Sequence, residues 1–182
     1  MPGFEQTRDT IDYLLEDFGF TFLSHAQLEL PKKGTEHRVR LTPGITRSDE
    51  WNDQCKPIIM SLAKEMTILV EQNREAIKAC ADFTDKAVEH LTNELLEWRA
   101  LIDRMDDMRR QAILFLKDDV KNCRWVEVTA DVKGKLVIRL CQAPVSVADA
   151  LRDSLHTKMK SEVLTSATLA VDGEFRFLYD RI

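Results

Sequence analysis

The chain has 182 residues and a mass of 21.0 kDa, long enough to bury a core without disulfide staples. Hydrophobic residues make up 44% and charged residues 31%, with 6 glycines and 5 prolines, which excludes a disordered chain and points to a soluble, largely helical protein. Net charge is −5, and residues 50–120 hold 15 acidic against 10 basic residues, which argues against a general phosphate-binding surface on that segment while leaving room for a small basic patch.

Residues 1–46 form the first part. The opening "MPGFEQTRDTIDYLLEDFGF" is acidic and lacks a basic stretch followed by an apolar run, so it is not a signal peptide. A helix is predicted from Thr7 or Asp9 to Asp17, stopped at Gly19, followed by an extended piece in which Leu28 and Leu30 alternate. Pro31 and Gly34 bracket a turn, and "EHRVRL" alternates polar and apolar residues as a short strand does.

Residues 47–122 contain one proline, Pro57, and no glycine. Leu62, Met66, Leu69, Asn73, Ala76, Cys80, Phe83 and Ala87 recur in a four-three alternation, which demands a helix with a single seam. The pattern slips by one residue and resumes at Leu91, Leu95, Trp98, Ile102, Met105, Ala112 and Leu116, so the segment is either one bent helix or two helices. Asp82 or Thr84 would cap the second, giving helices of roughly 28 to 34 residues, about 42 to 50 Å each.

In residues 123–182 the period changes again. Two β-rich runs around "ADVKG" predict a hairpin from Arg124 to Cys141. Ser146 and Asp149 form a capping box for a helix reaching Thr157. "SEVLTSATL" then reads as a short buried strand, and a last helix starts at Asp172 and is still unfinished at Ile182. The fold class is therefore α+β, mainly α, and the unfinished helix gives the chain the look of a piece of a larger protein.

Few residues point to chemistry. Cys55, Cys80, Cys123 and Cys141 are separated by 25, 43 and 18 positions, poor metal-site spacing, and read as buried or inert thiols of a reducing cytoplasm. His25, His37, His90 and His156 are scattered, with no second ligand one helical turn away. Asp103, Asp106, Asp107, Asp118 and Asp119 could hold a cation, but interleaved Arg104, Arg109 and Arg110 make a salt-bridged solvent face the better reading. Trp51, Trp98 and Trp125 fall where the apolar pattern expects core anchors. Lys32, Lys33, His37, Arg38 and Arg40 could touch a phosphate backbone, or belong to a solvated hairpin. There is no Gly-x-x-x-x-Gly-Lys-[Ser/Thr] loop and no Asp-Glu-x-His box, so the chain alone is expected to be inactive toward ATP.

One ordered set of features resembles a known family. Ala143-Pro144, the helix from Val147 to Leu155, the apolar Val163-Leu164, the run Thr165-Ser166-Ala167-Thr168-Leu169 and Phe175 are similar to the DinG/XPD-like superfamily 2 DNA helicases. The resemblance covers Leu140 to Ile182, and it implies that the helices before it are the arch domain, an insertion that leaves the first motor domain and returns to it. It further implies that Thr165, Ser166, Ala167 and Thr168 couple the ATP site to the DNA site. Lys32, Lys33, Arg38 and Arg40 are then candidate DNA contacts. ATP and magnesium would bind the parent protein and not this chain. An iron–sulfur cluster is left undecided, and the four cysteines are not assigned to one. The implied partner is single-stranded DNA, reached by a cytoplasmic, monomeric parent with no membrane association. The arch surface, being acidic, would act as a gate, with the strand-gripping basic residues elsewhere. A self-contained helical or coiled-coil interaction module is the alternative.

Overall fold

The structure, a computed structural model, describes residues 2–81, 92–161, 163, 165, 174 and 175. It is mainly helical with a small antiparallel sheet. The chain divides into two compact units, Met1–Asp118 with Arg124–Cys141, and Asp119–Cys123 with Gln142–Ile182.

In the first unit, α1 spans Pro2–His25, longer at both ends than the predicted helix. Gly19 does not stop it. A Cβ at this position would lie 2.9 Å from the Cδ1 atoms of both Leu136 and Ile138, so the glycine lets α1 approach the sheet closely. The actual stop is Gln27, in the left-handed region at φ 54°. Leu28 N–H donates to Leu23 O at 2.9 Å and Gln27 N–H to Ser24 O at 3.0 Å, the paired bonds of a Schellman motif. The predicted extended piece is thus partly the last turns of α1.

The "PKKG" turn forms as expected, with Thr35 N–H on Lys32 O at 2.9 Å and Gly34 at φ 80°. Strand β1, Glu36–Arg40, follows, then a short helix α2, Pro43–Thr46. Ser48 accepts the N–H of Trp51 at 3.2 Å and so caps the next helix. That helix passes through a π-helical turn, Trp51–Cys55, and continues as α3, Lys56–Ala81. Helix α4 spans Thr92–Phe115. Residues 82–91, where the predicted cap falls, lie outside the described residues.

The open choice between a bent helix and a hairpin is decided by pairing across the seam. Asn73 meets Trp98, Arg74 meets Asp103 and Asp106, and Lys64 shares a groove with Ile113 and Leu116. Partner numbers rise in α4 as they fall in α3, so the two helices are antiparallel. Val70, Ile77 and Ile102 form the distal core between them, with Trp98 and Met105 packed against it. Cys80, expected on the seam, is exposed instead.

Strands β2, Asn122–Ala130, and β3, Leu136–Pro144, form the predicted hairpin. Strand β1 joins it, giving the order β1-β2-β3, with β1 antiparallel to β2 and Arg40 opposite Trp125. Alternation sends Val126 and Val128 to one face, where Phe18, Phe22, Trp51, Ile59 and Phe115 close the main core. Phe22 sits edge-on to Trp51, ring centroids 6.3 Å apart.

Arg124 joins these pieces. It is buried, yet its guanidinium donates to Phe115 O at 2.8 Å, capping the end of α4, and meets Asp118 at 2.8 Å. Its backbone O accepts Leu41 N–H at 2.9 Å, one step beyond β1.

In the second unit, Val145 N–H donates to Lys121 O at 2.8 Å, and Asp119 accepts Lys121 N–H and Asn122 Nδ2 at 2.9 and 2.8 Å. Helix α5, Ala148–Leu151, runs into a π-helical turn, Arg152–His156, close to the predicted span. Ser146 Oγ accepts Ala148 N–H at 3.4 Å. The buried strand predicted over "SEVLTSATL" is not borne out where it is described: Ser161, Val163 and Thr165 are exposed and outside any strand. An isolated strand cannot bury both faces without neighbours. Glu174 and Phe175, placed in the predicted last helix, are not helical, and the rest of that helix lies outside the described residues. No helix among the described residues is long and apolar enough to cross a membrane.

Arg124→Met should cost about 2–3 kcal/mol in urea unfolding, since it strips a charged donor from a buried carbonyl. Gln27→Gly should gain about 0.5–1 kcal/mol in the same assay by relieving the left-handed conformation.

Candidate nucleic-acid interface

The face of the sheet turned away from the core carries charge. Register places Arg38 opposite Glu127, and Arg38 meets Glu127 at 2.9 Å and Glu36 at 3.1 Å. Glu127 is almost wholly buried although it lies on this outer face, because Trp125 Nε1 donates to it at 2.8 Å and Arg139 stands 3.8 Å away. The Trp125 hydrogen bond, aided by Arg38 and Arg139 and opposed by burial, holds the Glu127 carboxyl below the usual carboxylate range. Trp125 therefore serves the outer face and not the core, in contrast to Trp51; β-alternation sends it opposite to Val126.

Of the four residues expected to contact DNA, Arg38 is committed to carboxylates, whereas Lys32, Lys33 and Arg40 are exposed. Arg38 and Arg40 share one face of β1, and the two lysines sit in the turn before it. Thr165 of the predicted coupling motif is exposed; Ser166, Ala167 and Thr168 lie outside the described residues.

The helical hairpin changes the reading of its carboxylates. Asp106 is 4% exposed, not on a solvent face, and holds Arg109 at 2.7 Å, Arg74 at 3.1 Å and Arg110 at 3.6 Å. The Arg109 hydrogen bond, against the cost of burial and with help from Arg74, keeps its pKa below the ordinary value. Asp107 pairs with Arg110 at 2.7 Å and Asp118 with Arg124. Asn73, which fills a gap in the apolar seam, accepts Trp98 Nε1 at 3.0 Å and donates to Leu69 O at 2.7 Å. These polar pairs fix the register of α3 against α4, the best-attested use of buried polar groups.

The same pairing gathers cations. A distal hollow is lined by Arg74, Ile77, Lys78, Arg99, Ile102 and Asp103, and a basal groove by Lys56, Lys64 and Lys117 around aliphatic side chains. Met60, Thr67 and Arg74 are seven apart, and Leu116 and Ile102 two sevens apart, so both hollows lie on one side of the hairpin. Eight of the 10 basic residues in 50–120 thus line this side or hold Asp106 between the two hollows. Among the described residues Asp103 is the one carboxylate lining either hollow. By the same spacing Glu71, seven residues from both Lys64 and Lys78, falls on this side as well, so the side carries both signs. Arg110 and Lys117 are seven apart and Lys64 and Lys78 twice seven, but the common side of these cations emerges only once α3 and α4 are paired.

Among the cysteines, burial pushes the Cys55 thiol up to about 11, while burial and then Glu127 raise Cys141; Cys80 is exposed. The outgoing and returning ends of the helical hairpin meet at neighbouring strands, β1 and β2.

No family model matches the chain. Over 70 residues it is 36% identical to the protein described as "3'-5' exonuclease DinG" of Bacillus subtilis (strain 168). The match covers 38% of this chain and 7% of that protein, so the chain spans only a small part of its relative's length. This likeness supports a DinG-like relationship at the level of the family, for a fragment.

Both Asp106 and Glu127 have depressed pKa values, so their stabilisation is present above the unfolded carboxylate range and is lost as pH falls through the folded values. The urea midpoint should therefore drop on acidification below about pH 4, the ordinary carboxylate range. Asp106→Asn should lower the midpoint at pH 7 and flatten this acid limb.

Proposed function

We propose that the chain is the arch-domain region of an ATP-dependent DNA helicase of the DinG/XPD-like kind, contributing to the single-stranded DNA channel and to coupling between ATP hydrolysis and DNA movement. In this reading residues 47–122 are the arch and residues 123–182 the return toward the first motor domain. One observation carries it: the chain leaves the sheet after β1, runs out along α3, comes back along α4, and re-enters as β2, the strand paired with β1. That is the topology of an insertion, since its two ends are held together at one place. The partial likeness to a DinG protein and the order of motifs from Ala143 to Phe175 support the same assignment.

The chemistry follows from charge and hydroxyls. A backbone of phosphates is met by exposed cations, here Lys32, Lys33 and Arg40 at the sheet, with Arg38 beside them, and Arg74, Lys78 and Arg99 in the distal hollow. Thr165, Ser166 and Thr168 can each donate and accept, so they suit a loop that changes partners between nucleotide states. ATP and magnesium belong to the parent protein, whose phosphate-binding loop and Asp-Glu-x-His box this sequence lacks. The coiled-coil alternative loses its main support, because the apolar seam of α3 is filled by α4 of the same chain.

The isolated chain should bind oligo(dT) weakly, with affinity falling as salt rises, and should not hydrolyse ATP with or without DNA. DNA-dependent ATP hydrolysis by this chain alone would refute the assignment. In the longer protein, Ser166→Ala should leave ATP binding intact and cut base pairs unwound per ATP hydrolysed; unchanged coupling would remove the motif from this role.

A further inference from the structure

The basal groove between α3 and α4 differs from its distal neighbour. Its floor is aliphatic, with Met60, Ala63, Ile113 and Leu116, and its volume is about 600 Å³. Met60 and Ile113 are 57% and 42% exposed, large apolar side chains left in water side by side. Lys56, Lys64 and Lys117 line the groove as well, and among the described residues no carboxylate does.

We propose that this groove docks an acidic amphipathic helix of a partner protein, a role beyond the DNA path proposed above. Two antiparallel helices leave a furrow that a third helix fills by ridge-into-groove packing, burying apolar residues spaced i, i+3, i+4 and i+7. Charge decides which helix. Glutamate or aspartate flanking the apolar stripe would meet the three lysines, and a basic helix would be repelled. A nucleic-acid strand fits this furrow less well, because among the described residues its lining holds no aromatic ring or guanidinium on which a base could stack.

The test uses the chain and three fluorescein-labelled probes: an 18-residue helical peptide of leucine, alanine and glutamate with that apolar spacing, the same peptide with lysine for glutamate, and a dT20 oligonucleotide. Fluorescence anisotropy should show the glutamate peptide binding at least tenfold more tightly than the lysine peptide. Lys64→Glu with Lys117→Glu should weaken it at least tenfold, and Ile113→Ser should do likewise, with circular dichroism and the urea midpoint unchanged. Equal binding of the two peptides would overturn the proposal, as would binding indifferent to these substitutions. Loss of dT20 binding through the same substitutions would reassign the groove to nucleic acid. Self-association in sedimentation that Ile113→Ser abolishes would reassign it to a second copy of the chain.

Discussion

Arg124 is the point on which the architecture turns. Its backbone carbonyl takes the first hydrogen bond past β1, where the chain departs for the helices, and its guanidinium caps the end of α4, where the chain returns. A buried cation is costly unless every donor is used, and this one is offset by a carbonyl at a helix C-terminus and by Asp118. Closing a long excursion costs entropy, and the β1–β2 ladder with Arg124 at its foot is where that cost is met. Phe115 and Val126, on elements that the junction joins, pack with Phe22 and Trp51 in one core.

Much of this was legible in the chain. The two helical seams, the hairpin around "ADVKG", the turn at Gly34 and the strand at "EHRVR" follow from periodicity and turn chemistry. The pairing of β1 with β2 was not, since nothing local states which distant strand a short edge strand will join. Gly19 misled because a glycine can mean a stop or a close approach, and only the facing Leu136 and Ile138 decide between them. Gln27 ends α1 from a conformation that favours glycine, so its residue type gave no warning. Asp106 read as part of a salt-bridged solvent face and became a buried charge once Arg74 of α3 closed over it with Arg109 and Arg110.

The electrostatics of the helical segment show why a summed charge is a poor guide. Its acidic excess is real, yet the antiparallel pairing of α3 with α4 sorts most of its cations to one side. That side divides by chemistry into a hollow bearing Arg74, Lys78 and Arg99 and an aliphatic furrow rimmed with Lys56, Lys64 and Lys117.

The most direct measurement is photocross-linking of a working, longer DinG-like protein to single-stranded DNA carrying 4-thiothymidine at successive positions. Cross-links within this chain at the turn and strand of Lys32 to Arg40, or along Arg74, Lys78 and Arg99, appearing while the strand is being translocated, are the expected result. Efficient unwinding with every cross-link falling outside these residues would contradict a place for this region in the DNA channel.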